Sequence, residues 1–117
     1  MARYALERIS DPAAVAAMRT AMARAAGQQK VGLINSLGDR RDAESLAAMT
    51  AVLGSTDVQI AEAAAAALGK IGTPEASKAL IAARSRVKPE VKATVTDSIL
   101  LCADRMAASN KADEAAV

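Results

Sequence analysis

The chain has 117 residues, 52% hydrophobic but only 1% aromatic, with 15 basic against 13 acidic residues, one cysteine and no histidine. That length suits one domain, the lone Cys102 excludes an internal disulfide, and the missing histidine removes the commonest general base and metal ligand. The near-balanced charge gives no strong drive toward nucleic acid or anionic lipid, no apolar run nears the ~20 residues that span a bilayer, and the N-terminus lacks a signal peptide's apolar core, leaving the cytoplasm as the default location.

Taken in chain order, the apolar spacing predicts helices over 2–9, 12–26, 28–37, 43–54, 58–71, 74–86 and 89–108, with a last helix starting near 111. The corners between them have readable chemistry. At Asp11-Pro12 and Thr73-Pro74 a side-chain oxygen that can cap a helix precedes a proline at the first helical position, where its missing N–H costs nothing. Gly38 and Gly72 precede two corners and are expected to take the left-handed conformation that ends a helix. Asp42 is the expected N-cap of the corner Asp39-Arg40-Arg41-Asp42, which reads as about three residues longer than the corner at Gly72. The links Gly54-Ser55-Thr56-Asp57 and Lys88-Pro89-Glu90 join one pair of helices to the next. Much of the apolar content is alanine, which favours helix and lets helices approach closely. The expected core is a ribbon made of Leu6, Ile9, Val15, Met18, Leu33, Ile34, Leu37, Leu46, Met49, Leu53, Ile60, Leu68, Ile71, Leu80 and Ile81.

One helix–corner–helix segment is written three times: LERISDPAAVAAM at 6–18, INSLGDRRDAESLAAM at 34–49 and LGKIGTPEASKAL at 68–80. The landmarks Ile9, Leu37, Ile71 and Met106 stand before successive corners at spacings of roughly 28, 34 and 35 residues, in the range of helical-pair repeats. The approximate units are 2–26, 27–56, 57–87 and 88–117. Neither end shows a polar capping repeat, so the chain reads as a section of a longer array with incomplete end pairs, and self-association through those ends is expected.

The unit DVQIAEAAAAALGKIGTPEASKALIAA at 57–83 resembles the HEAT-repeat superfamily, and within it the short bacterial repeats of the phycobilisome-lyase type. VGLINSLGDRRDAESLAAMTAVL at 31–53 fits the same pattern, and the outer units fit more loosely. The resemblance implies an all-α, right-handed α-α superhelix, a HEAT-like α-solenoid of about four helical pairs. It implies a binding or spacing surface rather than a catalytic one. The C-terminal ILLCADRMAASNKADEAAV also resembles the opening of a tetratricopeptide-type helix pair.

No catalytic, cofactor or metal set emerges. A zinc site needs several Cys or His ligands, and Cys102 is the single candidate; within the apolar run 99–103 it reads as a small buried hydrophobe. Gly69 and Gly72 lack the strand and the following Ser or Thr of a phosphate loop, and helix-end geometry accounts for them. Asp39 and Asp42 read as caps and corner ion pairs around Arg40 and Arg41. The expected function is therefore a non-enzymatic protein-interaction or scaffold module of a larger bacterial protein. The resemblance places its contact surface on the second helices of each pair, with Arg19, Glu44, Lys78 and Arg84 as candidates; Arg40 and Arg41 form a separate corner patch. Two alternatives stand beside this. A nucleic-acid-binding array would use Arg19, Arg24, Lys78, Arg84, Arg86 and Lys88, but it is disfavoured by Glu44 among them and by the lack of aromatics for base stacking. A lyase- or chaperone-like helper would lack anchoring aromatics and histidine.

Overall fold

The computed structural model describes the backbone of residues 12–116 and the side chains of 12–109. Among the described residues six α-helices follow one another: α1 (Pro12–Arg24), α2 (Gly27–Asp39), α3 (Leu46–Val52), α4 (Val58–Ile71), α5 (Pro74–Arg84) and α6 (Pro89–Ala116). A single turn of 3-10 helix, Ala43–Ser45, leads into α3. No strand occurs among the described residues, and the expected all-α helical-repeat fold is what the chain adopts. The predicted helix 2–9, the core positions Leu6 and Ile9 and the Asp11 cap lie outside the described residues.

The caps explain the best-defined helix ends. The Asp57 carboxylate accepts from the amides of Gln59 and Ile60 at 2.9 and 3.4 Å, so α4 starts there. Thr73 Oγ1 accepts from the Ala76 amide at 3.2 Å, with Pro74 in the first turn of α5. Gly72 takes a left-handed φ of 67° and its amide reaches Leu68 O, which ends α4.

Helices α2, α4 and α6 lie side by side as one layer, and α1, α3 and α5 form the second. The molecule measures 42 × 36 × 19 Å, and the short dimension is the thickness of two helices packed at ordinary separation. Helix α4 is central: nine of its fourteen residues are buried, five of them alanine. Alanine and glycine let the first layer close up tightly. The heavier burial comes from Met22, Ile34, Leu37, Met49, Leu68, Leu80, Val91 and Val95. Val15, Met18, Leu33 and Leu46 pack against this core half-buried.

Several expectations are corrected. The corner between α2 and α3, 40–45 with its 3-10 turn, is longer than the two-residue corner 72–73 after α4, yet both turn at one left-handed residue. Arg41, with φ 53°, and Gly72, with φ 67°, are the equivalent left-handed residues. They stand 31 residues apart, the separation that also relates the contact pairs Gln28–Gln59 and Asp39–Lys70. Leu37 corresponds to Leu68 rather than to Ile71, and Leu37 and Leu68 are both fully buried. Gly38 does not end its helix. It lies buried within α2, and a Cβ there would sit 2.8 Å from Cα and Cβ of Ala67 on α4. Gly69 likewise serves close approach, since its Cβ would meet Ser98 O at 2.9 Å. Ile81 is 57% exposed because its neighbour Leu80 takes the inward position on α5. At the C-terminal side, no corner follows Met106 and no separate helix starts near 111. The helix α6 runs unbroken to Ala116, so neither a fourth helical pair nor a tetratricopeptide-type pair forms there among the described residues.

Candidate protein-interaction site

The second-layer helices touch one another far less than the first-layer helices do, and clefts open between them. The larger one, about 390 Å³, lies between the start of α1 and the corner joining α2 to α3. Pro12 and Val15 line its α1 side, and Arg40, Arg41, Asp42, Ala43 and Glu44 line the other.

Arg19 ties the two sides together. Its Nη1 donates to both Asp42 carboxylate oxygens at 2.8 and 2.9 Å, and its Nη2 lies 2.9 Å from Glu44 Oε2. The hydrogen bond to Asp42 raises the Arg19 pKa above its ordinary value; loss of solvent pulls it down, and the charges of Asp42 and Glu44 add to the rise. The guanidinium stays charged throughout the working pH range. This clamp also explains why Asp42 stands at the N-cap position of the 3-10 turn without capping it through its side chain. Its carboxylate is engaged by Arg19, and its backbone carbonyl accepts from the Ser45 amide and hydroxyl instead.

The corner itself is closed by backbone bonds from the Arg41 amide to Gly38 O and the Asp42 amide to Leu37 O, at 3.0 and 3.1 Å. The second bond spans six residues around a left-handed residue, the arrangement in which glycine is the usual occupant. Here Arg41 fills that place. Its side chain is exposed and makes no hydrogen bond or ion pair among the described residues.

A second cleft of about 250 Å³ separates α3 from α5, with Thr50, Leu53, Ala79 and Val87 on its walls and Arg86 at its rim. The Arg86 Nε donates to Ala82 O at 3.3 Å.

A family model for HEAT repeats matches residues 28–99, more than half of the chain. The chain belongs to the HEAT-repeat family. No curated protein and no solved structure matches it significantly. HEAT repeats in general mediate contact between proteins and are not typically catalytic.

Within this HEAT array the six candidate residues divide unevenly. Arg19, Glu44, Arg40 and Arg41 line one cleft, so the corner patch is not separate from the second-helix face. Lys78 and Arg84 are exposed on α5 and line neither of the two clefts. Sequence reasoning missed the Asp42 clamp, because its partner is 23 residues away and no local periodicity links them. It also missed the α3–α5 cleft.

The proposed basic stripe is broken up: Arg19 is paired with acids and Lys88 Nζ donates to Thr56 O at 3.0 Å. Cys102 is fully buried, its Sγ is 3.5 Å from Thr73 O, and burial pushes its pKa up, which is the setting of an inert thiol. Among the described residues no group of three or more His, Cys, Asp or Glu could hold a metal ion. No helix among them is long and apolar enough to cross a membrane.

Proposed function

We propose that this HEAT array is a non-enzymatic interaction or scaffold module of a larger protein, folded as a single domain over 1–117, and that it holds a protein partner at the corner cleft through an acidic group placed against Arg41. The observation that carries this reading is the cation at Arg41. A backbone position that favours glycine instead holds an arginine, its side chain is exposed, and it lines a cleft whose acids, Asp42 and Glu44, are already occupied by Arg19. Local strain retained at one residue is a pointer to a site. Lys78 and Arg84 are then accessory contacts further along the second layer. The finer placement among short repeats of the phycobilisome-lyase type rests on LGKIGTPEA and belongs to the same proposal.

A library of acidic and charge-scrambled peptides, read by amide chemical shifts and by affinity, tests the reading. Acidic peptides should move the amides of 40–44 and bind at least ~10-fold more weakly to Arg41→Gly, a loss of about 1.4 kcal/mol. Equal binding by the variant, with its fold intact, refutes the site.

A further inference from the structure

The same packing step occurs twice in the first layer. On α2, a Cβ at Gly38 would lie 2.8 Å from Cα and Cβ of Ala67 on α4. On α4, a Cβ at Gly69 would lie 2.9 Å from Ser98 O and 3.2 Å from Ser98 Cα and Cβ on α6. Gly38 and Gly69 are separated by the 31-residue period, and so are the residues that receive them, Ala67 and Ser98. Each helix thus presents a bare backbone patch to the next, and the next comes in too close for a side chain.

Carried forward by one period, the patch on α6 falls at Leu100. That side chain is 63% exposed, while Val91, Val95 and Cys102 of the same helix are buried. A second feature of α6 agrees. The corner residues Gly72, Thr73 and Pro74 are answered one period later by Ala103, Asp104 and Arg105, which supply no left-handed glycine and no proline. The helix passes straight through this point to Ala116, and it brings the Arg105 Cβ within 2.6 Å of where a Cβ at Gly72 would be.

We infer that α6 is the closing face of the stack: Leu100 stands where the two internal interfaces require glycine, so no further unit of this type packs on α6 at the internal spacing. A position that tolerates no Cβ cannot admit an isobutyl group unless the helices separate, and separation strips the remaining small-residue contacts. The end-to-end continuation expected from the incomplete end pairs is therefore refused on this face, whether by a second copy or by following chain. A partner on α6 has to be shaped to accept Leu100.

The test inserts a second copy of residues 73–103 between Ala103 and Asp104 of the full chain, with Ala103→Gly to supply the turn. It is made in two versions, with Leu100 retained or with Leu100→Gly. Hydrogen exchange is the readout. The inserted helices should be protected in the Leu100→Gly version and lose that protection when Leu100 is kept. Protection in both versions, or in neither, overturns the inference. Gly69→Leu in the otherwise natural chain is an independent check. It should strip protection from α6 amides at 90–102 while α2 and α3 keep theirs, and an α6 that stays protected also overturns the inference.

Discussion

Arg41→Gly should make this protein more stable. Arg41 has φ 53°, and an L-residue in the left-handed region costs ~1–2 kcal/mol. Glycine removes that cost but returns ~0.5–1 kcal/mol to the unfolded chain through its greater freedom. Arg41 makes no hydrogen bond or ion pair among the described residues through its side chain, and its amide bond to Gly38 O survives the change. The net gain is about 0.5–1 kcal/mol, worth a rise of about 2–6 °C in Tm for a domain of this size. Urea unfolding followed by far-UV circular dichroism should show a higher midpoint with an unchanged slope, since no surface is newly buried. Arg41→Ala is the control, because alanine keeps the left-handed penalty and should gain nothing. The reciprocal change, Gly72→Ala, meets both the left-handed backbone and Arg105 Cβ at 2.6 Å, and should lose more than ~2 kcal/mol. An Arg41→Gly midpoint that falls, or one matched by Arg41→Ala, refutes the equivalence of the two corners.

Leu68→Ala removes a fully buried side chain from the central helix and should cost ~2–5 kcal/mol in the same denaturation assay. Gly38→Ala gains ~1 kcal/mol of helix propensity but puts a Cβ 2.8 Å from the Ala67 backbone, which cannot rotate away; overpacking at ~1–3 kcal/mol should win, and a stabilised variant would show that α2 and α4 are further apart. Cys102 should resist a thiol reagent until the protein unfolds. Because burial raises its pKa from 9.0, the folded state holds the neutral thiol while the unfolded chain ionises. Its stabilisation is complete only well below pH 9 and declines as pH rises through the ordinary thiol pKa. The stability difference between the wild type and Cys102→Ala should therefore shift against the wild type between pH 8 and pH 10.5, and a constant difference would contradict the burial.

The sequence was readable where the chemistry is local. Asp57, Thr73-Pro74 and Gly72 act on amides or backbone angles within a few residues, so their types alone predicted the ends of α4 and the start of α5. It was misleading where one residue type does two physical jobs. Gly38 and Gly72 both precede polar corners, and pairing them as helix terminators hid the 31-residue period. Gly72 is there for its backbone angle, whereas Gly38 is there because Ala67 leaves no room for a side chain. The residue equivalent to Gly72 is Arg41, which no pattern search would pair with a glycine. Ile81 failed for a related reason: beside Leu80 on a helix, only one of two adjacent apolar residues can face inward. In the candidate site the residue types were visible, but the pairing of Arg19 with Asp42 and Glu44 arises only when α1 is laid against the corner after α2.

The position of that site follows from the unequal packing of the two layers. Gly38 and Gly69 present no side chain where α2 meets α4 and where α4 meets α6, so these helices sit close together. The second layer, though rich in alanine, has no glycine in α1, α3 or α5, and these three helices touch one another far less. Two layers with unequal spacing must leave gaps on the wider side, and both clefts occur there. Polar corner residues then line the larger gap because each corner connects the tight layer to the loose one. The close glycine packing of the first layer is therefore also what leaves the clefts on the second, away from the face that Leu100 closes.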